Sequence, residues 1–452
     1  MNKPFVFKLP ICKNNDFIDK EDKLIRLSNN IQKPSFELGF QYFLHRTKNG
    51  MGIVNTLKTK SKFYYVVNPF EHFISDYENS VSNYSKKYFN IKKTDPKVLS
   101  RAFYKMWEIL MSFDLVPDSK ITYAALAEGP GSFIQAVIHY KEKFLNGIKN
   151  DKIFGVTIHE EDGSNLEMGK QFMSYYNKNF PEVLNIHKTY NESNSLKYKS
   201  RDNGDITKVK TISNFKKDIL KSKKYADLVT ADGGFIWDDE LNQEQESYLL
   251  IFGSIVAALR VQNKKGSFVL KIFESFTMIT LKMLYILSSF YSEIYIHKPY
   301  FSRSSNSEKY VVCKGFKYDQ KKDSKILNNK IKKLEELLEK MNVELYINDI
   351  FESLELPKDF VNAFKFLNLK IANVQQIMIN KIITFIKEDN YYGEKFHNYR
   401  AKQIEATKFW IEKFYPENKS SFKKVKDNVI KDVKERYEYN NSEINTFVKA
   451  LI

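Results

Sequence analysis

Lys271 stands inside Gly266-Ser267-Phe268-Val269-Leu270-Lys271-Ile272-Phe273, a run that otherwise reads as a buried strand. Stripping water from an ammonium is costly, so such a lysine either snorkels from a strand end or is held there for its chemistry. Asp232 follows the apolar run Tyr225 to Thr230 and precedes Gly233 and Gly234. A carboxylate at the end of an apolar strand occupies the site position of an α/β sheet, although a helix cap or a turn acid gives the same pattern. Glu128-Gly129-Pro130-Gly131-Ser132-Phe133 sits where another strand turns into a helix. Its glycines permit close backbone approach, and a helix N-terminus presents free N–H groups. The loop has neither the Walker lysine nor the full dinucleotide fingerprint, so phosphate cradling is not supported. Asp205, in Asn203-Gly204-Asp205-Ile206-Thr207, reads by itself as a turn acid. Glu308 enters the last strand from a polar loop and reads by itself as surface.

The elements that position these residues alternate between strand and helix from about 97 to 318. A helix over 100–112 is followed by strands at 121–127, 153–158, 183–187, 225–230, 266–273, 292–298 and 310–313. The helices between them are expected near 132–144, up to 179, at 240–261 and at 276–290. This order predicts an α/β domain with a mostly parallel sheet and sites at the carboxyl ends of its strands. The link from Pro299 to Lys309 is too short for a crossover helix, so the last strand is expected to be antiparallel. Three regions follow: a mixed N-terminal accessory region (1–96), the α/β domain (97–320) and a helical C-terminal region (321–452).

The 452 residues carry 72 Lys+Arg against 55 Asp+Glu, a net charge of +17 that favours a polyanionic partner such as nucleic acid. The abundance of Lys, Asn, Ile, Phe and Tyr together also fits an AT-rich genome, which accounts for part of that excess. Two distant cysteines, Cys12 and Cys313, exclude a disulfide framework or a cysteine-based zinc site and fit a reducing compartment. The N-terminal residues lack the apolar core of a signal peptide, and charges interrupt the longest apolar stretch, so no membrane span is expected.

Taken together, the segments resemble the FtsJ-type family of AdoMet-dependent ribose 2′-O-methyltransferases, and more closely the mRNA cap enzymes of eukaryotes and large DNA viruses. Ser100-Arg101-Ala102-Phe103-Tyr104-Lys105 is similar to the family's S-R-A-x-x-K helix, Leu126 to Phe133 to its AdoMet loop, and Gly204 to Thr207 to its G-D-I-T segment. Ala231 to Phe235 resembles A-D-G-G-F, and Phe268 to Phe273 the lysine strand. Lys298 to Arg303 with Asn306 to Phe316 resembles the closing motif. The likeness spans about 97 to 318. It implies a Rossmann-like methyltransferase sheet, S-adenosyl-L-methionine as cofactor, and a Lys-Asp-Lys-Glu tetrad at Lys105, Asp232, Lys271 and Glu308. In that scheme Lys271 is the base or activating group for a ribose 2′-hydroxyl and Lys105 positions it. Asp232 lies between Lys271 and the methyl donor, and Glu308 orients the lysines.

Cofactor contacts are expected from Glu128 to Phe133, Asp205 and Asp232. Two departures stand out: Ala125-Leu126-Ala127 replaces the bacterial Asp-Leu-Gly, and Thr157 stands where an acid often holds the cofactor ribose. Glu128, Glu160 or Asp162 are the substitutes. The resemblance implies capped mRNA as substrate, with Arg101, Arg303 and Ser307 as candidate RNA contacts and a capping or transcription factor as a further partner. The basic-aromatic run Lys58 to Tyr65 is either part of the phosphate path or a half-buried strand. The helices bearing Tyr391, Tyr392 and Trp410 read as a pack supporting the sheet, with an RNA docking surface as the sharper alternative. Internal or structured RNA is the rival substrate, and an inactive module binding RNA or a capping partner is the rival to catalysis. The expected setting is the cytoplasm, a viral factory or virion for a viral chain, with the nucleus also open.

Overall fold

Strand Thr122–Leu126 (β3) is buried at every position, and its neighbours on both sides are parallel to it. Apolar continuity of this kind is required where helices cover both faces of a sheet. In the computed structural model, residues 5–31, 33–34, 38–57, 63–71, 81–159, 168–189, 202–234, 238–239 and 241–450 are described. The other strands are β1 (Phe5–Lys8), β2 (Ile25–Ser28), β4 (Lys152–Val156), β5 (Leu184–Ile186), β6 (Ala226–Ala231), β7 (Gln262–Ile272), β8 (Tyr291–Lys298), β9 (Lys309–Phe316) and β10 (Tyr346–Ile350).

Eight of them form one sheet in the order β1-β8-β9-β7-β6-β3-β4-β5. From β7 to β5 the neighbours are parallel, whereas β9 runs antiparallel to both β7 and β8. The short link after β8 therefore closes a hairpin, as its length requires. β1 adds an antiparallel strand to β8 at the edge. The edge is covered by the helix Lys419–Ala450, whose Asn440 and Asn441 amides donate to the carbonyls of Val6 (2.8 Å) and Lys8 (3.3 Å). This blunts a template for further strand pairing.

One apolar core lies between the sheet and the helices Tyr248–Val261, Met278–Ser288 and Ser324–Met341. The other face packs on the helices Arg101–Phe113 and Ser132–Phe144. Trp410, Phe414 and Tyr415, from the C-terminal part of the chain, are buried in that second core. Three elements differ from the sequence expectation, the first being Phe63–Val67, a 3-10 helix where a half-buried strand is one reading of the run ending at Tyr65. The helix expected over 240–261 is broken into Gln243–Glu246 and Tyr248–Val261. Beside the break Glu244 turns its buried carboxylate onto the Phe276 and Thr277 N–H groups, both at 2.9 Å, at the start of the next helix. The C-terminal region is also not wholly helical, because β10 pairs antiparallel with β2 in a separate two-stranded sheet. Among the described residues, no helix is long and apolar enough to cross a membrane.

Candidate active site

The chain leaves β3 towards β4 and β5 on one side, then returns to β6 and β7 on the other. Such a reversal opens a crevice at the carboxyl ends of the strands. Asp232 follows β6 directly, and Lys271 is the last residue but one of β7. Side-chain alternation along β7 sends Leu270 and Ile272 into the first core, and Val269 and Lys271 towards the Arg101–Phe113 helix. That helix begins at Ser100, whose hydroxyl accepts the Ala102 N–H at 3.2 Å, and it brings Lys105 to the same place.

Two ion pairs result. Lys271 Nζ lies 3.2 Å from Asp232 Oδ1 and donates to the Asp232 carbonyl at 2.8 Å. Lys105 Nζ lies 2.7 and 2.8 Å from the two Glu308 carboxylate oxygens. Tyr310, opposite Lys271 in the β7–β9 register, donates its hydroxyl to Asp232 Oδ1 at 2.9 Å. Burial lowers the pKa of Lys105, against the raising pull of Glu308 and Asp232. Burial alone would raise Glu308, but Lys105 and then Lys271 hold it well below the usual carboxylate range. Lys298 is pushed by burial down to about 7 despite the Glu308 charge. Its Nζ donates to the carbonyls of Asn306 (2.9 Å) and Glu308 (2.7 Å) and to Ser302 Oγ (3.1 Å), so it ties down the loop that delivers Glu308.

The turn after β3 carries Glu128, Gly129, Pro130 and Gly131 and leads into Ser132 and Phe133 of the next helix. Glu128 Oε1 accepts the N–H groups of Phe133 (2.8 Å) and Ile134 (3.0 Å). Its Oε2 is buried and has no partner among the described residues. Burial lifts this carboxyl to about 8, with the Asp232 charge adding to the shift. An orphaned carboxylate oxygen beside a second acid and a glycine turn fits a ligand with an ammonium or hydroxyl donors, as AdoMet is. Gly233 brings this turn and Asp232 together, since a Cβ there would meet the Ala127 Cβ at 2.9 Å.

The segment around Asp205 closes over the end of β4. Gly204 has φ +83°, and a Cβ on it would lie 2.1 Å from the Thr157 carbonyl oxygen. Asp205 Oδ1 accepts the Thr207 N–H at 2.9 Å and its hydroxyl at 2.7 Å, and so shapes the turn. His187 fastens the same segment from β5, lying between Asp218 (2.7 Å) and Asp202 (3.1 Å). Gly204→Ala is therefore expected to lower AdoMet affinity at least tenfold, read by titration calorimetry, with Lys271 and its partners untouched. Unchanged affinity would remove this segment from the cofactor site. Glu160, Asp162, Phe235 and Lys58 to Lys62 lie outside the described residues.

The expected RNA contacts are placed less simply. The Arg101 side chain is only 10% exposed, and its guanidinium pairs with Glu71 at 3.1 Å and with the Phe301 carbonyl. Arg303, 23% exposed, donates to the same Glu71 oxygen at 2.7 Å and lies 4.0 Å from the Tyr65 ring centroid. Ser307 donates to Gln243 Oε1 at 3.2 Å. Glu71 was missed in the sequence because nothing local distinguishes it from a surface acid. Tyr310 and Lys298 lay inside the closing motif, yet neither was singled out.

A family model described as FtsJ-like methyltransferase matches residues 98–316. The chain is 25% identical over 296 residues to cap-specific mRNA (nucleoside-2′-O-)-methyltransferase 1A of Caenorhabditis briggsae, covering 64% of this chain and 31% of that protein. It is 29% identical over 217 residues to cap-specific mRNA (nucleoside-2′-O-)-methyltransferase 1 of Trypanosoma cruzi, covering 47% of this chain and 52% of that one. An inactive cap-specific mRNA (nucleoside-2′-O-)-methyltransferase 1B of C. briggsae is 26% identical over 296 residues, covering 64% of this chain and 32% of its own length. The chain thus spans about a third of the length of the first relatives it matches.

Proposed function

Because residues 98–316 match an FtsJ-like methyltransferase family model, we propose that this chain is an AdoMet-dependent ribose 2′-O-methyltransferase acting at the capped 5′ end of mRNA. The observation that carries the reading is the four-charge cluster: Lys271 held on Asp232, and Lys105 held on Glu308, at the switch point of the sheet. A binding module has no need of a lysine so placed.

The ribose hydroxyl is a poor nucleophile and must lose its proton as it attacks. AdoMet, when bound, supplies the electrophilic methyl group. Glu128 and Asp232, with the backbone of the turn after β3 and of the Asp205 segment, are the groups that would hold it. Lys271 is the group placed to accept or direct the 2′-hydroxyl proton. Asp232, braced by Tyr310, fixes the Lys271 Nζ, and the Lys105–Glu308 pair fixes the side of the site facing it. Transfer from a positive sulfur disperses charge, so positioning contributes more than anion stabilisation.

Cap specificity rests on the relatives' names and on the A-D-G-G-F and closing-motif likeness. The relative described as inactive supports a second reading, a module that binds RNA without transferring a methyl group. Labelled AdoMet with short capped and uncapped RNAs separates the readings. Transfer to capped RNA at least tenfold faster is expected. Equal rates defeat the cap assignment, and no transfer to either RNA favours the binding module.

A further inference from the structure

The helix Leu38–Asn49 lies outside the matched domain, yet it is anchored beside the catalytic strand. His45 Nε2 sits 2.8 Å from Glu274 Oε2, and the Lys48 ammonium pairs with the other oxygen. Glu274 is three residues beyond Lys271. Burial would raise its carboxyl, but Lys48 and His45 pull it down to about 2. On the inner side Leu44 packs with Phe276, Ala372 and Ile379.

The outer side is left open. Leu38, Tyr42 and Phe43 are 52%, 60% and 55% exposed, an unusual apolar patch for one short helix. Leu38, Tyr42, Arg46 and Asn49 share a face that borders a groove of about 720 Å³, whose far wall is the segment 241–245. Lys33 and Arg46 bring positive charge, and Asn242 and Gln245 bring amides. Glu244 adds little negative charge to the groove, because its carboxylate is turned onto the N–H groups of Phe276 and Thr277 and the hydroxyls of Thr277 and Thr280. Next to Asn242, Gln243 accepts the Ser307 hydroxyl, one residue from Glu308. The elements that form both walls of the groove are thus tied to residues next to Glu308 and Lys271 in the chain, through Ser307–Gln243 and through His45–Glu274.

Exposed aromatic rings, flanking cations and amide edges on a chain of net charge +17 are the chemistry that holds an unpaired nucleic-acid strand. We propose that this groove binds the single-stranded RNA that carries the target ribose, extending the active site beyond the matched domain. The proposal rests on the function proposed above, and binding and methyl transfer are read separately so that the two can fail independently. The probes are a fluorescein-labelled capped ten-nucleotide RNA and a dinucleotide cap analogue, with AdoMet affinity measured by calorimetry.

Tyr42→Ala is expected to weaken decamer binding about tenfold, and Tyr42→Trp to restore it. Arg46→Ala should weaken binding and reduce the salt slope by about one. AdoMet and the dinucleotide should bind all variants as they bind the parent. Both residues are exposed, and matching thermal melts would verify that the variants fold. Parent-like decamer affinity in Tyr42→Ala and Arg46→Ala overturns the groove, as does equal weakening of decamer and dinucleotide. Decamer binding that depends on Tyr42 without methyl transfer by the parent leaves the groove standing and removes the enzymatic reading. Methyl transfer with an unchanged KM in both alanine variants does the reverse.

Discussion

Lys271→Ala is expected to lower methyl transfer about a thousandfold while AdoMet binding and the fold persist. The Lys271 side chain is 12% exposed, and Asp232, its partner, still receives the Tyr310 hydroxyl after truncation. Water can enter the vacated space, so the loss should fall on the rate and not on stability. Lys271→Arg is expected to lose as much, since a guanidinium keeps the charge but does not take up a proton. Lys105→Ala is a poorer test, because it strands the buried Glu308 carboxylate and mixes a folding cost into the rate. Single-turnover transfer from labelled AdoMet to capped RNA, with calorimetric AdoMet affinity alongside, decides the matter. A Lys271→Ala rate within tenfold of the parent would rule out the proposed proton acceptor.

The carboxyl-end positions were legible because each was an oddity in a local pattern. A lysine in an apolar strand, an acid before two glycines and a glycine turn before a helix are all visible within eight residues. The structure brings Lys271 and Asp232 together because β6 and β7 are parallel neighbours with Ala231 opposite Leu270. The alternation of strands and helices also transmitted the sheet, including the antiparallel β9. What failed to show has long-range causes. Glu71 earns its role from Arg101 and Arg303, 30 and 232 residues away in sequence. β10 reads as a polar stretch because only Ile347 and Ile350 are buried in it, and its partner β2 lies more than three hundred residues earlier. Glu244 serves the start of another helix, a contact that the periodicity inside 240–261 does not record. Local patterns thus reveal where a strand ends, while the bracing of the site is a tertiary property.

That bracing is most exposed at Glu108, one turn beyond Lys105 on the same helix. Its buried carboxylate accepts the Tyr300 N–H at 2.8 Å, the Phe301 N–H at 3.0 Å and the Trp410 indole N–H at 2.9 Å. One side chain therefore links the Lys105 helix, the loop leading to Glu308 and a C-terminal helix. Glu108→Leu would leave three buried donors without an acceptor and is expected to cost about 3 kcal/mol in urea denaturation. Trp410→Phe removes the indole N–H and part of a fully buried ring, so the lost hydrogen bond and the cavity together are expected to cost about 2 kcal/mol. Burial raises the Glu108 carboxyl from 4.5 to about 7, although the three donors oppose that shift. The native state then binds the extra proton between those values, so this contribution to stability is full below about pH 4.5 and is lost as pH rises through about 7. Glu108→Gln, uncharged throughout, should flatten the decline. A Glu108→Leu protein that unfolds at the parent's urea midpoint would show that the C-terminal helix does not brace the site. The same linkage predicts that deleting residues 325–452 unfolds the chain, because it takes Trp410, Phe414 and Tyr415 out of the core that holds Lys105. Single substitutions on the intact chain are therefore the proper test of what these helices contribute.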